Sequence, residues 1–276
     1  MAINELSDSE FQLISAYVYK HYGIVLKQDK KELVKSRLNR RLQILGYSSY
    51  RKYFDFVSSK EGKDERVEMI NALSTNLTFF YREEKHFRFL REKLLPELHL
   101  MNRGESFSLR GWCTAASTGE EPYTIAIETL DSLEEIPGCD FKLLATDIST
   151  RVLDIAKRGI YDSERLDKIT PALKSKFFQR GTSDSSGLFK VKPKVRKVIK
   201  FNYLNLVQPF PIHKSLDFIF CRNVMIYFDR ETQQQIIDRF VKLLNKGGYL
   251  FMGMSEGLSG IKHSLKYVEP SIYQKL

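Results

Sequence analysis

From residue 106 onward, short apolar runs alternate with helical patterns, and that alternation restricts the fold more than any other feature of the chain. SFSLRGW (106–112) is followed by a helix from Pro122, FKLLATDI (141–148) by a helix that Ser149 can cap, and LDFIF (216–220) by a helix over about 231–244 closed by Gly247-Gly248. GYLFMGM (248–254) and a strand near 267–274 complete the series. Strands that each feed a helix return to one sheet in parallel, so the pattern predicts a doubly wound α/β sheet covered on both faces.

The first 75 residues read differently, as a small all-helical domain. Ser7 to Glu10 form a capping-box pattern ahead of Phe11, Ile14 and Val18, and Gly23 is placed to stop that helix. A second helix over about 29–45 has Leu33, Leu38, Leu42 and Leu45 as its apolar stripe and Gly46 as its terminator. Tyr50, Tyr53, Phe54 and Val57 mark a third, and 67–73 a fourth. A linker over 76–90, opening with NLTFFYREE, leads to a helix over about 84–101 that Pro96 should bend. The α/β domain then spans 91–276, interrupted at about 177–200 by a Ser/Gly turn between alternating apolar and basic residues. That segment reads as one or two inserted antiparallel hairpins, with Pro193 at an edge.

Composition narrows the function classes. No apolar run approaches the roughly 18 residues of a membrane span, and MAINELSDSEF lacks a secretory signal pattern. Three widely spaced cysteines suggest reduced thiols and a cytoplasmic protein, and five histidines without ligand spacing predict no metal site. The net charge of +10 is concentrated in residues 27–41, with a net of +5, and 190–200, with a net of +6. Such stretches are either solvated faces or surfaces that meet an acidic partner.

The loop RGWCTAASTGEEPYTIAI (110–127) ends the first strand, where doubly wound sheets bind ligands. It lacks the GxGxxG that cradles a pyrophosphate, and its two acids, Glu120 and Glu121, would repel one. A ligand with a positive charge, a ribose and no phosphate fits better, and S-adenosylmethionine is such a molecule. Asp147, at the end of the second strand, can accept both ribose hydroxyls. Taken singly, Glu120 and Glu121 could merely complement the helix dipole, and Asp147 could be a neighbour of a helix cap. NLTFFYRE could be an aromatic hinge, and CRNVMIYF (221–228) a strand end with core side chains.

ASTGEEPYTIAI, NLTFFYRE (76–83), LNL (204–206) and IFCRNVMIYFD (219–229) together closely resemble the CheR family, the bacterial chemotaxis receptor methyltransferases. The resemblance covers essentially the whole chain and implies a Rossmann-like class I methyltransferase fold. It implies S-adenosylmethionine as cofactor, S-adenosylhomocysteine as product, and glutamate side chains of chemoreceptors as methyl acceptors. It places Asn76, Thr78, Arg82, Glu121 rather than Glu120, Asp147, Asn205, Leu206, Arg222 and Asn223 around the cofactor, and makes Arg82 and Tyr227 the catalytic pair. The basic helix, through Lys30, Lys35, Arg37, Arg40 and Arg41, would dock on acidic receptor helices in the cytoplasm. The inserted hairpin resembles a β-subdomain that captures a receptor peptide in some members.

A substrate glutamate is already ionised near neutrality, so the implied reaction needs no general base. CRNV stands where exocyclic-amino methyltransferases carry NPPY or DPPY, which disfavours a nucleic-acid substrate. An RNA methyltransferase, congenial to a pI near 9.3, and a non-catalytic binding module are the competing readings. A monomer without membrane insertion is expected.

Overall fold

In the N-terminal part of the computed structural model, which describes residues 3–101, 106–134 and 138–276, four helices enclose their own core. They are α1 (Asp8–Tyr22), α2 (Lys31–Leu45), α3 (Tyr50–Ser58) and α4 (Lys63–Leu73). The capping box forms as the sequence dictates: the Ser7 hydroxyl accepts from the Glu10 N–H while Glu10 accepts from the Ser7 N–H. Gly23 ends α1 in the left-handed region. The buried stripe of α2 is Val34, Leu38 and Leu42, strictly four apart, whereas Leu33 and Leu45 are exposed. The expected stripe was therefore one residue out at its start, because Val34 continues the i, i+4 row and Leu33 turns away.

The helix expected over 84–101 is broken into α5 (Lys85–Phe89), a π-helical turn (Leu90–Leu94) and α6 (Leu95–Met101). The irregularity lies just before Pro96, whose ring would clash with the preceding turn in a regular helix.

The sheet elements follow as β1 (Phe107–Cys113), α7 (Glu120–Ser132), β2 (Cys139–Asp147) and α8 (Thr150–Arg158), capped by Ser149. Next come β3 (Ile160–Asp162), α9 (Pro171–Phe177), β4 (Phe178–Arg180), β5 (Leu188–Val191), α10 (Pro193–Arg196) and β6 (Ile199–Tyr203). The chain ends with β7 (Leu216–Cys221), α11 (Arg230–Leu243), β8 (Leu244–Met252), β9 (Leu265–Glu269) and β10 (Ile272–Lys275). The seven-stranded sheet has the order β6-β2-β1-β7-β8-β10-β9. Its first five strands are parallel, and β10 and β9 are antiparallel additions. The direction of winding reverses between β1 and β7, which opens a crevice at their carboxyl ends.

Three expectations are corrected. The terminal strand is a hairpin, β9–β10, rather than one strand. The antiparallel insertion draws on a longer stretch than 177–200, since its sheet has the order β3-β5-β4 and starts at Ile160. Pro193 sits at the first turn of α10, where its missing N–H costs nothing, and β6 leaves the insertion to pair in parallel with β2. Among the described residues no helix is long and apolar enough to cross a membrane.

Candidate functional site

A cleft of about 600 Å³ lies over the carboxyl ends of β1, β2 and β7. Asn76, Thr78, Arg82, Glu121, Asp147, Asn205, Leu206, Arg222, Asn223 and Tyr227, all singled out in the sequence, line it together. The opposite wall comes from the helical part of the chain, residues 22–30, Leu33 and 73–75, which sequence reasoning had not assigned to the cleft.

The loop after β1 shows why one of its two glutamates faces the cleft. Gly119, at φ 103°, turns the chain into α7, and a Cβ there would stand 2.6 Å from the Tyr161 hydroxyl and 2.9 Å from Ala156 Cβ. Glu120 then points toward the inserted sheet, where it pairs with Arg165 and accepts from Thr118 Oγ1 at 2.6 Å. Glu121 points inward: Arg222 Nη1 donates to its Oε2 at 2.8 Å and the Cys113 thiol to its Oε1 at 3.3 Å. Burial raises the Glu121 carboxyl above its ordinary value, against the opposing pull of Arg222.

Asp147 ends β2 with both oxygens engaged, Oδ2 by the Ser117 N–H at 2.8 Å and Oδ1 by the Ser149 N–H at 2.9 Å. Its pKa too is raised by burial, although these amides favour the carboxylate. Each oxygen keeps a second lone pair for a ligand donor. Asn205 has a use the sequence did not suggest: its Nδ2 donates to the His21 carbonyl at 2.8 Å, and its Oδ1 accepts from the Val207 N–H at 3.2 Å. It therefore ties the end of α1 to the cleft, while Leu206 is buried beside it.

The remaining groups converge from the linker and from the segment after β7. Arg82 holds the Leu77 carbonyl at 2.8 Å and leans toward the Phe79 ring. Tyr227 closes a short 3₁₀ turn, and its carbonyl accepts from the Val25 N–H at 2.9 Å. Arg222 is buried, with Phe87 beneath it at 5.3 Å. Asn223 adopts φ 56°, and its N–H donates to Glu256 Oε2 at 2.6 Å. Tyr81, Glu83 and Ser117 also have positive φ, at 58°, 57° and 48°. Such backbone persists only where surroundings impose it, and here it clusters around one cleft.

Glu83 and Glu256 are polar groups of this region that sequence reasoning missed. The five basic residues expected to dock, Lys30, Lys35, Arg37, Arg40 and Arg41, are not one free face. Arg37 holds the Leu73 and Ser74 carbonyls and Thr75, Arg41 pairs with Glu65 at 2.5 Å, and Lys35 pairs with Glu5 and Glu32. Lys30 and Arg40 are exposed, and Lys30 stands at the cleft rim.

Two family descriptions match nearly all of the chain: the CheR methyltransferase all-alpha domain over residues 9–74, and the CheR methyltransferase SAM-binding domain over 76–273. A chemotaxis protein methyltransferase from Escherichia coli is 41% identical over 97% of this chain and 91% of its own length. One from Borreliella burgdorferi is 40% identical over 99% and 96%. A probable chemotaxis protein methyltransferase from Rhizobium etli is 40% identical over 93% and 96%.

Proposed function

The chain belongs to the CheR family of S-adenosylmethionine-dependent chemotaxis methyltransferases, and from that premise we propose that it esterifies glutamate side chains on the cytoplasmic helices of chemoreceptors. The observation that carries the acceptor class is the composition of the cleft. Among the described residues that line it there is no histidine and no cysteine, while Arg82 stands among them. A carboxylate acceptor is ionised near neutrality and asks for orientation, which a guanidinium can give through two parallel bonds. An amine or hydroxyl acceptor would ask for a base, and of the lining carboxylates Glu121 and Asp147 are taken by the cofactor in this reading while Asp29 lies exposed on the helical wall.

The donor set fits the cofactor. Glu121 offers a buried carboxylate suited to an ammonium, and Asp147 offers lone pairs suited to two ribose hydroxyls. Leu206 gives an apolar surface for a base, and Asn76, Thr78, Asn205, Arg222 and Asn223 complete the polar lining. When bound there, S-adenosylmethionine would supply an electrophilic sulfonium methyl group for transfer to an acceptor carboxylate. Arg82 positions the acceptor, and Tyr227 packs at the reacting end. Too firm a grip by Arg82 would stabilise the ground state, so its contribution is orientation more than charge neutralisation.

Docking would place the exposed Lys30 and Arg40 against acidic receptor helices. Exposed pairs contribute about 0–1 kcal/mol each, so this contact should be weak and salt-sensitive.

Labelled methyl transfer to a purified chemoreceptor cytoplasmic fragment tests the reading. Label released as methanol by mild base is expected, and an Arg82→Ala variant should lose about a hundredfold in rate while still binding cofactor. Base-stable label on the receptor, or label on added RNA instead, would overturn the acceptor assignment.

A further inference from the structure

Arg222 is shared. Its Nη1 donates to Glu121 at 2.8 Å, while its Nη2 reaches the Arg82 carbonyl and Glu83 Oε2, the latter at 3.1 Å. Glu83 is held for this task from several sides. Its Oε2 also accepts from the Met254 N–H at 3.0 Å, and its Oε1 takes Asn223 Nδ2 at 3.4 Å. Its backbone adopts the left-handed region to aim the carboxylate inward.

The hydrogen-bonded unit Glu83–Arg222–Glu121 thus contains two carboxylates and one guanidinium, a net charge of −1. His86 lies beside it, buried, with Nδ1 3.7 Å from Glu83. It adds no charge near neutrality, because burial and then Arg222 pull its pKa down to about 4. Arg82, the next cation, makes its side-chain hydrogen bond to the Leu77 carbonyl and leans on the Phe79 ring, so its charge reaches Glu121 through space without a direct side-chain bond to this unit. Had Arg222 served Glu121 alone, the pair would be neutral and a poor receptor for a cation.

We propose that Glu83 is a positioning and charge-setting residue: by binding the second arm of Arg222, it leaves Glu121 with net negative charge for the ammonium of the cofactor's amino-acid end. The inference deepens the cofactor assignment and rests on the reading of Glu121 as the ammonium acceptor. Its consequence is selectivity. The nucleoside end of the ligand should be indifferent to Glu83, and the amino group should not.

Equilibrium binding to the full chain of S-adenosylhomocysteine and of its deamino analogue, with hydrogen in place of the amino group, separates the possibilities. Glu83→Gln keeps the shape and the acceptor oxygen toward Met254 but removes the charge. It should weaken S-adenosylhomocysteine about tenfold and leave the deamino analogue within about twofold, as removal of one nearby charge requires. Equal weakening of both ligands would make Glu83 a purely structural residue, and no weakening of either would remove it from the site; each overturns the proposal. Glu121→Gln is measured alongside. If wild type does not favour S-adenosylhomocysteine over its deamino analogue, or Glu121→Gln keeps the full preference, the ammonium assignment itself falls, a result separable from failure of Glu83 alone.

Discussion

Glu121 and Asp147 are both withdrawn from water, and burial lifts the pKa of each above the ordinary carboxyl values of 4.5 and 3.8. A carboxyl with a raised folded pKa binds more protons folded than unfolded between the two values, so its ionisation costs stability as pH rises through that window. Cofactor binding as proposed runs the other way, since the ionised carboxylates are the stronger acceptors for an ammonium and for ribose hydroxyls. The gain in Tm from saturating S-adenosylhomocysteine should therefore shrink on acidification before pH reaches the ordinary carboxyl values. Melts with and without ligand from about pH 8 to about pH 5 check this, and a constant gain would show that neither group titrates there. At this scale the sequence was informative where chemistry is local. Acids in place of glycines at the first loop, and an acid ending the second strand, are visible in a string of letters. Glu83 and Glu256 were not, because each holds partners thirty or more residues away, and nothing in YREE or SEGL marks a carboxylate as aimed inward. The positive φ of Glu83 is the local trace of that aim, and it exists only in the fold.

Among the elements, the segment between β7 and α11 depends most on a single remote group. Glu256, just past β8, accepts the N–H groups of Asn223 at 2.6 Å, Gly253 at 3.0 Å and Ile226 at 3.2 Å. Its carboxylate therefore stands in for backbone partners that the turn toward Tyr227 cannot supply. Glu256→Ala strands three donors and should destabilise by roughly 3 kcal/mol, read as a lower denaturant midpoint at unchanged m. Glu256→Gln, which keeps one acceptor oxygen, should lose less, and equal loss in the two variants would discount the hydrogen bonds. Element type was legible wherever periodicity was long, as in α1 and the parallel strands. It failed where short competing signals met. VKPKVRKVIK alternates like a strand, but Pro193 sits well at a helix N-terminus and the chain uses it there. The π-helical turn before Pro96 likewise answers a clash within the helix, which an apolar pattern does not reveal.

Over the whole molecule, the helical part does two things that its charge alone suggested only halfway. Its basic residues divide between inner and outer uses. Arg37 and Arg41 fasten α4 and the residues just after it, while Lys30 and Arg40 face solvent. Its segment 22–30 also walls the cleft, clasped to the sheet through Asn205 with the His21 carbonyl, Val25 with the Tyr227 carbonyl, and Tyr19 with Asp229 at 2.5 Å. Gly23 lets the two halves approach, since a Cβ there would stand 2.4 Å from Val207 Cγ1. The cleft is thus completed by residues outside the segment that matches the SAM-binding domain, and with the cofactor seated as proposed, loosening the clasp should weaken cofactor binding without touching Glu121 and Asp147. Asn205→Ala removes the clasp bond to the His21 carbonyl and the local bond from the Val207 N–H, and should raise the S-adenosylhomocysteine Kd roughly tenfold, about 1.4 kcal/mol. Gly23→Ala, at a residue that does not line the cleft, crowds Val207 and strains the left-handed turn that ends α1, and should raise it in the same direction. If Asn205→Ala weakens binding and Gly23→Ala does not, Asn205 acts on the adenine directly and the wall is passive. If both do, closure of the helical part over the sheet is a component of cofactor affinity.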